Sequence, residues 1–258
     1  MKYYVYSCLL IIFSALIVST LSFIIKEGEE RLVSSELQIP LNSAQVAGVQ
    51  KFISPPKDKN IPQPYFSARA VLIKDLNSEI ILFGQNVNIP LPIASTTKIM
   101  SALVANEYFK PNSSLQVKNA YSVDGAKVGL FRGEVLSFRS LLYGMLLPSG
   151  NDAAYTIAEN YPGGVNGFVQ DMNKKASQLE LTNTHFENPA GFDSPKHYSS
   201  AADLSAVTEE ALKDPQLSRI FATKDTEIIS LDKKYTHKLF NLNRLLSKVS
   251  GVLGVKKG

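Results

Sequence analysis

The sequence has few of the residues that build disulfides or metal sites. One cysteine, Cys8, is present among 258 residues, so no disulfide can form within the chain. The three histidines belong to neither a His-Glu-x-x-His motif nor a paired Cys-x-x-Cys arrangement. The sequence therefore predicts no metal site and no bound cofactor.

Charged residues are also sparse, at 19% of the chain, and the formal net charge is only +4. Basic residues occur in short separate groups such as Lys174 and Lys175, whereas a nucleic-acid-binding surface usually carries a denser basic patch. We therefore expect no nucleic-acid partner. A hydrophobic content of 45% is typical of a globular protein that buries a core.

An uncharged apolar run lies at the amino terminus, from Tyr3 to Ile25. A helix of about 20 apolar residues is long enough to cross a bilayer. Lys2 precedes the run, so the positive-inside rule places the following chain outside the cytoplasm. The run is longer than the core of a signal peptide and lacks an Ala-x-Ala site, which favours an uncleaved anchor. We expect residues 1–25 to be an anchor or a signal peptide, with the active domain on the extracytoplasmic side.

A proline-rich stretch follows, over residues 26–64. It includes Ser54-Pro55-Pro56 and Ile61-Pro62-Gln63-Pro64, and prolines at this density favour extended chain. We expect residues 26–64 to form a tether that connects the membrane to a folded domain at residues 65–258.

Hydrophobic patterns in the domain predict strands first and helices later. Ala68 to Ile73 and Glu79 to Phe83 are β-prone runs separated by turn residues, which indicates a hairpin. Tyr121 to Glu134 also has a β-rich pattern. Helical patterns cover Ser137 to Leu147, Asp152 to Glu159, Val165 to Leu179, and Ser200 to about Leu212, where Ser200 and Asp203 resemble a capping box. A strand signal returns at the end, so we predict a mixed α/β domain with an antiparallel sheet flanked by helices.

The most informative motif is Ser95-Thr96-Thr97-Lys98, which precedes a run of helix formers. Side chains three positions apart share a helix face, so the Ser95 hydroxyl and the Lys98 amine can meet. A serine nucleophile needs a base, and burial at a helix amino terminus lowers the pKa of a lysine toward that role. Taken alone, the motif more often marks a helix cap followed by an exposed lysine.

Two further motifs carry hydroxyl, amide and amine groups. Pro148-Ser149-Gly150-Asn151 makes a tight loop between two helical runs, and it would project the Ser149 hydroxyl and the Asn151 amide. A helix–helix turn with Asn151 as the N-cap is the simpler alternative. Gly254-Val255-Lys256-Lys257-Gly258 ends the chain, and its simpler interpretation is a basic, solvated tail.

Together, the three motifs resemble those of the serine DD-peptidase, penicillin-binding protein and β-lactamase superfamily. The low-molecular-mass D-alanyl-D-alanine carboxypeptidases are the most similar group, and the resemblance covers about Tyr65 to Gly258. Local runs such as Asn188-Pro189-Ala190-Gly191-Phe192-Asp193 and His197-Tyr198-Ser199-Ser200 support it. The resemblance implies a DD-peptidase/β-lactamase-like fold and a serine carboxypeptidase that acts on peptidoglycan stem peptides.

The resemblance also implies catalytic roles for Ser95, Lys98, Ser149 and Asn151. Ser95 would attack the carbonyl of the D-Ala-D-Ala peptide bond to give an acyl-enzyme, and Lys98 would take its proton. Ser149 would relay a proton to the leaving amine, and Asn151 would orient Lys98 or the substrate amide. β-Lactams would acylate Ser95 by mimicking the substrate.

Substrate binding is implied for Lys256, Lys257 and Gly258. Lys256 would supply positive charge near Ser149 and the terminal carboxylate of the substrate. Lys257 stands where the family usually has threonine. One oxyanion-hole N–H would come from Ser95 and the other from a position beyond Gly258. We therefore expect a domain that is incomplete at its carboxy-terminal strands, as a fragment, a truncated reading frame or a degenerate copy.

Other functions stay open at this point. A truncated, non-catalytic cell-wall-binding protein is compatible with Lys257 and with the end at Gly258. A class A β-lactamase is less favoured, because Ser149-Gly150-Asn151 lies in a carboxypeptidase-like context. Carboxypeptidase and endopeptidase preference are not distinguished, nor are anchor cleavage and oligomeric state.

Overall fold

The computed structural model describes residues 57, 59, 62–63 and 65–257. The predicted anchor, residues 1–25, lies outside the described residues. So does the predicted tether, residues 26–64, apart from positions 57, 59 and 62–63, and so does Gly258. Within the described part, no helix combines the length and the apolar character needed to cross a membrane.

The first ordered element is an antiparallel hairpin. Strand β1 spans Val71–Lys74 and strand β2 spans Ile81–Gln85. In the turn between them, the Asp75 carboxylate accepts a hydrogen bond from the Ser78 N–H at 2.9 Å, as short polar side chains commonly do in turns. The predicted hairpin is confirmed, with strands that start slightly later than the pattern indicated.

Helix α1, Thr97–Tyr108, lies at the centre of the domain and follows a 3-10 turn at Ala94–Thr96. It packs against four later helices, which are α2 (Phe138–Leu146), α3 (Asn151–Glu159), α4 (Gly164–Gln178) and α5 (Ala201–Lys213). The first nine residues of α1 are all buried. Polar side chains within such a segment need internal partners, so Thr97, Lys98 and Ser101 mark a place where a polar site is built into the core.

The predicted helices are confirmed close to their expected boundaries. The Ser200 hydroxyl accepts a hydrogen bond from the Asp203 N–H and so caps α5. Only half of the predicted capping box forms, because the Asp203 carboxylate accepts from the Asn183 N–H and the Thr184 hydroxyl instead. Two further helices follow, α6 (Pro215–Ala222) and α7 (Leu245–Lys248).

The described strands pair in twos, always antiparallel. Strand β3 (Ser114–Gln116) pairs with β4 (Val135–Ser137), and β5 (Asp225–Ile229) pairs with β6 (Thr236–Phe240). The predicted mixed α/β class with antiparallel strands is confirmed. In the described residues this pairing is divided among three two-stranded sheets.

The prediction of a β-rich segment from Tyr121 to Glu134 is wrong, because most of this stretch is a loop. Its three glycines have positive φ, which interrupts a strand. The buried Asp152 carboxylate accepts hydrogen bonds from the N–H groups of Val128, Gly129 and Leu130 at 2.9–3.1 Å. These backbone N–H groups, which would pair with a neighbouring strand in a sheet, donate instead to the Asp152 side chain of α3. The loop is therefore held against that helix.

Candidate active site

Ser95 and Lys98 meet at the start of α1. Ser95 lies in the 3-10 turn and Lys98 in the first turn of the helix, and Lys98 Nζ is 2.9 Å from Ser95 Oγ. Lys98 is 0% exposed. The alternative of a helix cap followed by an exposed lysine is therefore wrong, and Thr96 at the N-cap position makes no capping side-chain bond.

Two further oxygens surround the Lys98 amine. Nζ is 2.8 Å from Asn151 Oδ1 and 2.6 Å from the carbonyl oxygen of Ala190. The Asn151 Nδ2 group donates to the Asp124 carbonyl at 2.7 Å, which fixes the orientation of the amide. Asn151 is not the N-cap of α3, because Gly150 occupies that position. The Asn151 side chain belongs to the lysine site instead.

Ser149 lies in the turn between α2 and α3 and has a strained backbone. Its φ is 66°, in a region that residues other than glycine rarely adopt. Its Oγ atom is buried and has no hydrogen-bond partner within the described residues. Gly150 permits the turn, since a Cβ there would lie 2.7 Å from the Val128 side chain and 2.8 Å from the Gly144 carbonyl oxygen. Strain and an unpaired buried hydroxyl are both typical of ligand-binding positions.

The environment of Lys98 lowers the pKa of its amine toward neutrality. The pKa of Lys98 is lowered to about 7, first by burial and then by the charge of Lys256, while the charge of Asp152 opposes the shift. Burial followed by the charge of Lys257 lowers the pKa of Lys256 to about 8. Near neutral pH, Lys98 is therefore partly neutral while Lys256 is mostly charged.

The third motif approaches the same site through Lys256. Its charge acts on the Lys98 amine, and its own Nζ donates to the Lys257 carbonyl oxygen at 2.5 Å. The Lys257 side chain is exposed and lines a surface cavity with Leu242 and Arg244. Gly258 lies outside the described residues. The substrate-binding roles of Lys256, Lys257 and Gly258 stay predictions.

Residues 57–258 match the sequence profile of the D-alanyl-D-alanine carboxypeptidase family. The chain belongs to this family. The resemblance stated from the three motifs is thus confirmed for the domain that carries them.

Two curated relatives are longer than the region that they share with this chain. The D-alanyl-D-alanine carboxypeptidase DacF of Bacillus subtilis is 36% identical over 198 residues, which cover 74% of this chain and 50% of that protein. A D-alanyl-D-alanine endopeptidase of Pseudomonas aeruginosa is 33% identical over 199 residues, which cover 75% of this chain and 64% of that protein. The chain therefore spans about half to two thirds of the length of these relatives.

The fold also matches a solved member of the D-alanyl-D-alanine carboxypeptidase family. The crystal structure of the enzyme of that name from Mycobacterium tuberculosis superimposes with a TM-score of 0.70 at 34% identity. The match covers 75% of this chain and 74% of that chain. This agreement supports the mixed α/β architecture described above.

One part of the site, the backbone carbonyl of Ala190, was not predicted from the sequence. Asn188 Oδ1 accepts hydrogen bonds from the N–H groups of Ala190, Gly191 and Phe192, which folds the loop so that the Ala190 carbonyl faces Lys98. The turn residues of this run were the available signal. Within the described residues, no group of three or more His, Cys, Asp or Glu side chains is placed to hold a metal ion.

Proposed function

We propose that this protein is a serine-type D-Ala-D-Ala carboxypeptidase that trims peptidoglycan stem peptides through an acyl-enzyme on Ser95. β-Lactams would acylate the same hydroxyl, because they present a reactive carbonyl close to a carboxylate. The observation that carries the proposal is the set of acceptors around the Lys98 amine.

The hydrogen bonds around neutral Lys98 indicate which neighbour its lone pair faces. A neutral amine has two N–H groups and one lone pair. Carbonyl oxygens accept only, so the Asn151 and Ala190 oxygens take the two N–H groups. The lone pair is then left for Ser95, whose hydroxyl lies 2.9 Å away. This is the geometry of a general base that takes the proton of a nucleophile.

The chemical steps follow from this arrangement. As Ser95 Oγ attacks the carbonyl carbon between the two D-alanines, Lys98 accepts its proton, and the Ser95 N–H stabilises the negative oxygen. The tetrahedral intermediate then breaks its C–N bond, and the leaving amine takes the proton that Lys98 accepted. The Ser149 hydroxyl, which has no partner among the described residues, would carry that proton once substrate is bound. Water hydrolyses the ester and restores Ser95. Lys256 would attract the terminal carboxylate of the substrate, and Asn151 holds Lys98 in place.

We extend the proposal to the whole chain. Residues 1–25 would hold the protein at the membrane, residues 26–64 would act as an extended tether, and the domain at residues 65–258 would work on the extracytoplasmic side. The uncharged run from Tyr3 to Ile25 supports the anchor. The proposed substrate, peptidoglycan, lies outside the cell membrane, which agrees with that orientation.

The direct test is release of D-alanine by the purified full chain. A pentapeptide ending in D-Ala-D-Ala should release D-alanine, detected with D-amino acid oxidase, because Ser95 attacks the bond between the two D-residues. A peptide ending in D-Ala-L-Ala is the matched control and should stay intact, which mass spectrometry of the peptide would show, since D-amino acid oxidase does not detect L-alanine. Pretreatment with penicillin should stop the reaction, since the acyl-enzyme blocks Ser95.

Other outcomes of this test are informative. Binding to peptidoglycan sacculi without any D-alanine release would overturn the proposal in favour of a cell-wall-binding protein. Cleavage of a cross-linked muropeptide dimer with no release from the pentapeptide would indicate an endopeptidase, the activity named for the Pseudomonas aeruginosa relative. Rapid turnover of penicillin would indicate a β-lactamase.

The pH dependence of acylation should be bell-shaped. The second-order rate constant for acylation by a β-lactam should rise as pH increases through about 7, because Lys98 becomes neutral there. It should fall as pH increases past about 8, because Lys256 then loses the charge that attracts the ligand carboxylate. Stopped-flow measurements with a chromogenic cephalosporin between about pH 5.5 and 9.5 would show both limbs.

The variant Lys256→Gln tests the assignment of the two limbs. It should remove the descending limb and weaken ligand binding. It should also move the ascending limb to higher pH, because the Lys256 charge helps to lower the pKa of Lys98. An ascending limb that does not move in this variant would contradict the assignment.

A further inference from the structure

A buried threonine between Ser95 and Lys98 in the sequence contacts a buried histidine, and neither has a role in the steps proposed above. Thr97 is 0% exposed and His197 is 3% exposed. Thr97 Oγ1 is 2.7 Å from His197 Nε2, and the Thr97 hydroxyl is also 2.7 Å from the carbonyl oxygen of Ala94. A histidine from a distant loop is thereby connected to the residue that precedes the nucleophile.

The partners of the imidazole ring determine the direction of these bonds. His197 Nδ1 accepts a hydrogen bond from the Glu187 N–H at 3.1 Å, so it carries no proton. Burial lowers the pKa of His197, which agrees with a neutral ring. The proton therefore lies on Nε2 and is donated to Thr97 Oγ1. The Thr97 hydroxyl in turn donates to the Ala94 carbonyl.

The Ala94 carbonyl and the Ser95 N–H belong to one planar peptide group and point in opposite directions. Any contact that fixes the carbonyl also fixes the direction of the N–H. Ala94 has φ of 44°, a strained value for a residue with a Cβ. The backbone of Gly191 packs closely against the same peptide group, since a Cβ on Gly191 would lie 1.8 Å from the Ala94 oxygen. The strained peptide is thus held from its carbonyl side by Gly191 and Thr97.

We propose that His197 is a positioning residue that acts through Thr97 to orient the Ala94–Ser95 peptide, so that the Ser95 N–H faces the oxygen that becomes negative during acylation. This inference rests on the proposed acyl transfer to Ser95. His197 is not a proton-transfer group in this scheme, because its single N–H is committed to Thr97. Its effect should fall on the chemical step, where negative charge develops, more than on ligand binding.

The test compares His197→Phe and Thr97→Val with the wild-type full chain. Both changes keep the approximate shape of the side chain and remove the hydrogen bonds. We expect the first-order acylation constant for penicillin to fall by about tenfold to a hundredfold, with little change in the dissociation constant. The double variant should acylate no more slowly than Thr97→Val, because both substitutions break the same chain of hydrogen bonds from His197 through Thr97 to the Ala94 carbonyl. Thr97→Ser keeps the hydroxyl and should restore most of the rate.

Thr156→Val is a matched control for loss of a buried hydroxyl. Thr156 is also 0% exposed, and its hydroxyl donates to the Asp152 carbonyl at the same distance of 2.7 Å. It should acylate at close to the wild-type rate. Equal rates in the wild type, His197→Phe and Thr97→Val would overturn the positioning role, and so would a slow Thr97→Ser variant.

A second measurement does not depend on catalysis. The backbone amide resonance of Ser95 in a ¹⁵N-labelled protein should shift in His197→Phe, although the hydrogen bonds of His197 go to Thr97 and Glu187, and should stay in place in Thr156→Val. A Ser95 resonance unchanged by His197→Phe would overturn the inference. If the wild type takes no penicillin label, the proposed function fails, and the Ser95 resonance alone decides whether His197 orients this peptide.

Discussion

Replacing Ser95 with alanine is expected to abolish covalent labelling by penicillin. Alanine has no hydroxyl that could be acylated, and turnover of the D-Ala-D-Ala peptide should fall by about 10⁶-fold, the size seen when a serine nucleophile is removed from a catalytic group. The reason is local, because the Ser95 hydroxyl lies 2.9 Å from the amine that the neighbouring acceptors leave with a free lone pair. Fluorescent penicillin on a denaturing gel, combined with intact-protein mass spectrometry, would measure the loss.

Ser149 is the serine that could compete with Ser95 for this role. Its hydroxyl is buried and lacks a hydrogen-bond partner within the described residues, so it is not paired with a base before substrate binds. Ser149→Ala is therefore the matched control, and it should still take the label, although more slowly because the proton path to the leaving group is lost. An adduct mapped to Ser149 in the Ser95→Ala protein would contradict the assignment of the nucleophile. Circular dichroism should show that both variants keep the fold.

Local rules explain why much of the fold was predictable. Asp75 and Ser78 form a turn through contacts within three residues, and Ser200 caps α5 through the N–H of Asp203. The pairing of Ser95 with Lys98 likewise follows from the spacing of side chains on one helix face. In these cases the interacting groups are neighbours in sequence, so a short pattern contains the information.

The rest of the site depends on contacts between distant parts of the chain. Lys98 bonds to Asn151, 53 positions away, and to the Ala190 carbonyl, 92 positions away. Every residue has a backbone carbonyl, so the residue type at position 190 does not indicate that its carbonyl takes part in the site. The error over Tyr121 to Glu134 has the same origin, because the Asp152 carboxylate takes N–H groups that the β-like pattern assigned to a sheet.

The Lys98→Met variant would separate the base from the nucleophile. Methionine has an unbranched side chain of similar length and can fill the buried space, but it has no amine. Acylation of Ser95 by penicillin should slow by about 10³- to 10⁴-fold, the upper part of the range for loss of a general base. The pH profile should also lose its ascending limb near pH 7, since that limb reports deprotonation of Lys98. Slow labelling can be followed over hours by intact-protein mass spectrometry.

Lys98→Arg provides the control that distinguishes proton transfer from simple hydrogen bonding. A guanidinium group can donate to the Asn151 and Ala190 oxygens, yet it stays protonated and cannot accept the Ser95 proton. We therefore expect Lys98→Arg to be about as slow as Lys98→Met. If Lys98→Arg kept near-wild-type acylation, or if Lys98→Met kept the ascending limb, the base would have to be a different group. The Asn151 and Ala190 oxygens accept hydrogen bonds and so take the two N–H groups of a neutral Lys98, which is why the lone pair of that amine is the proposed acceptor of the Ser95 proton.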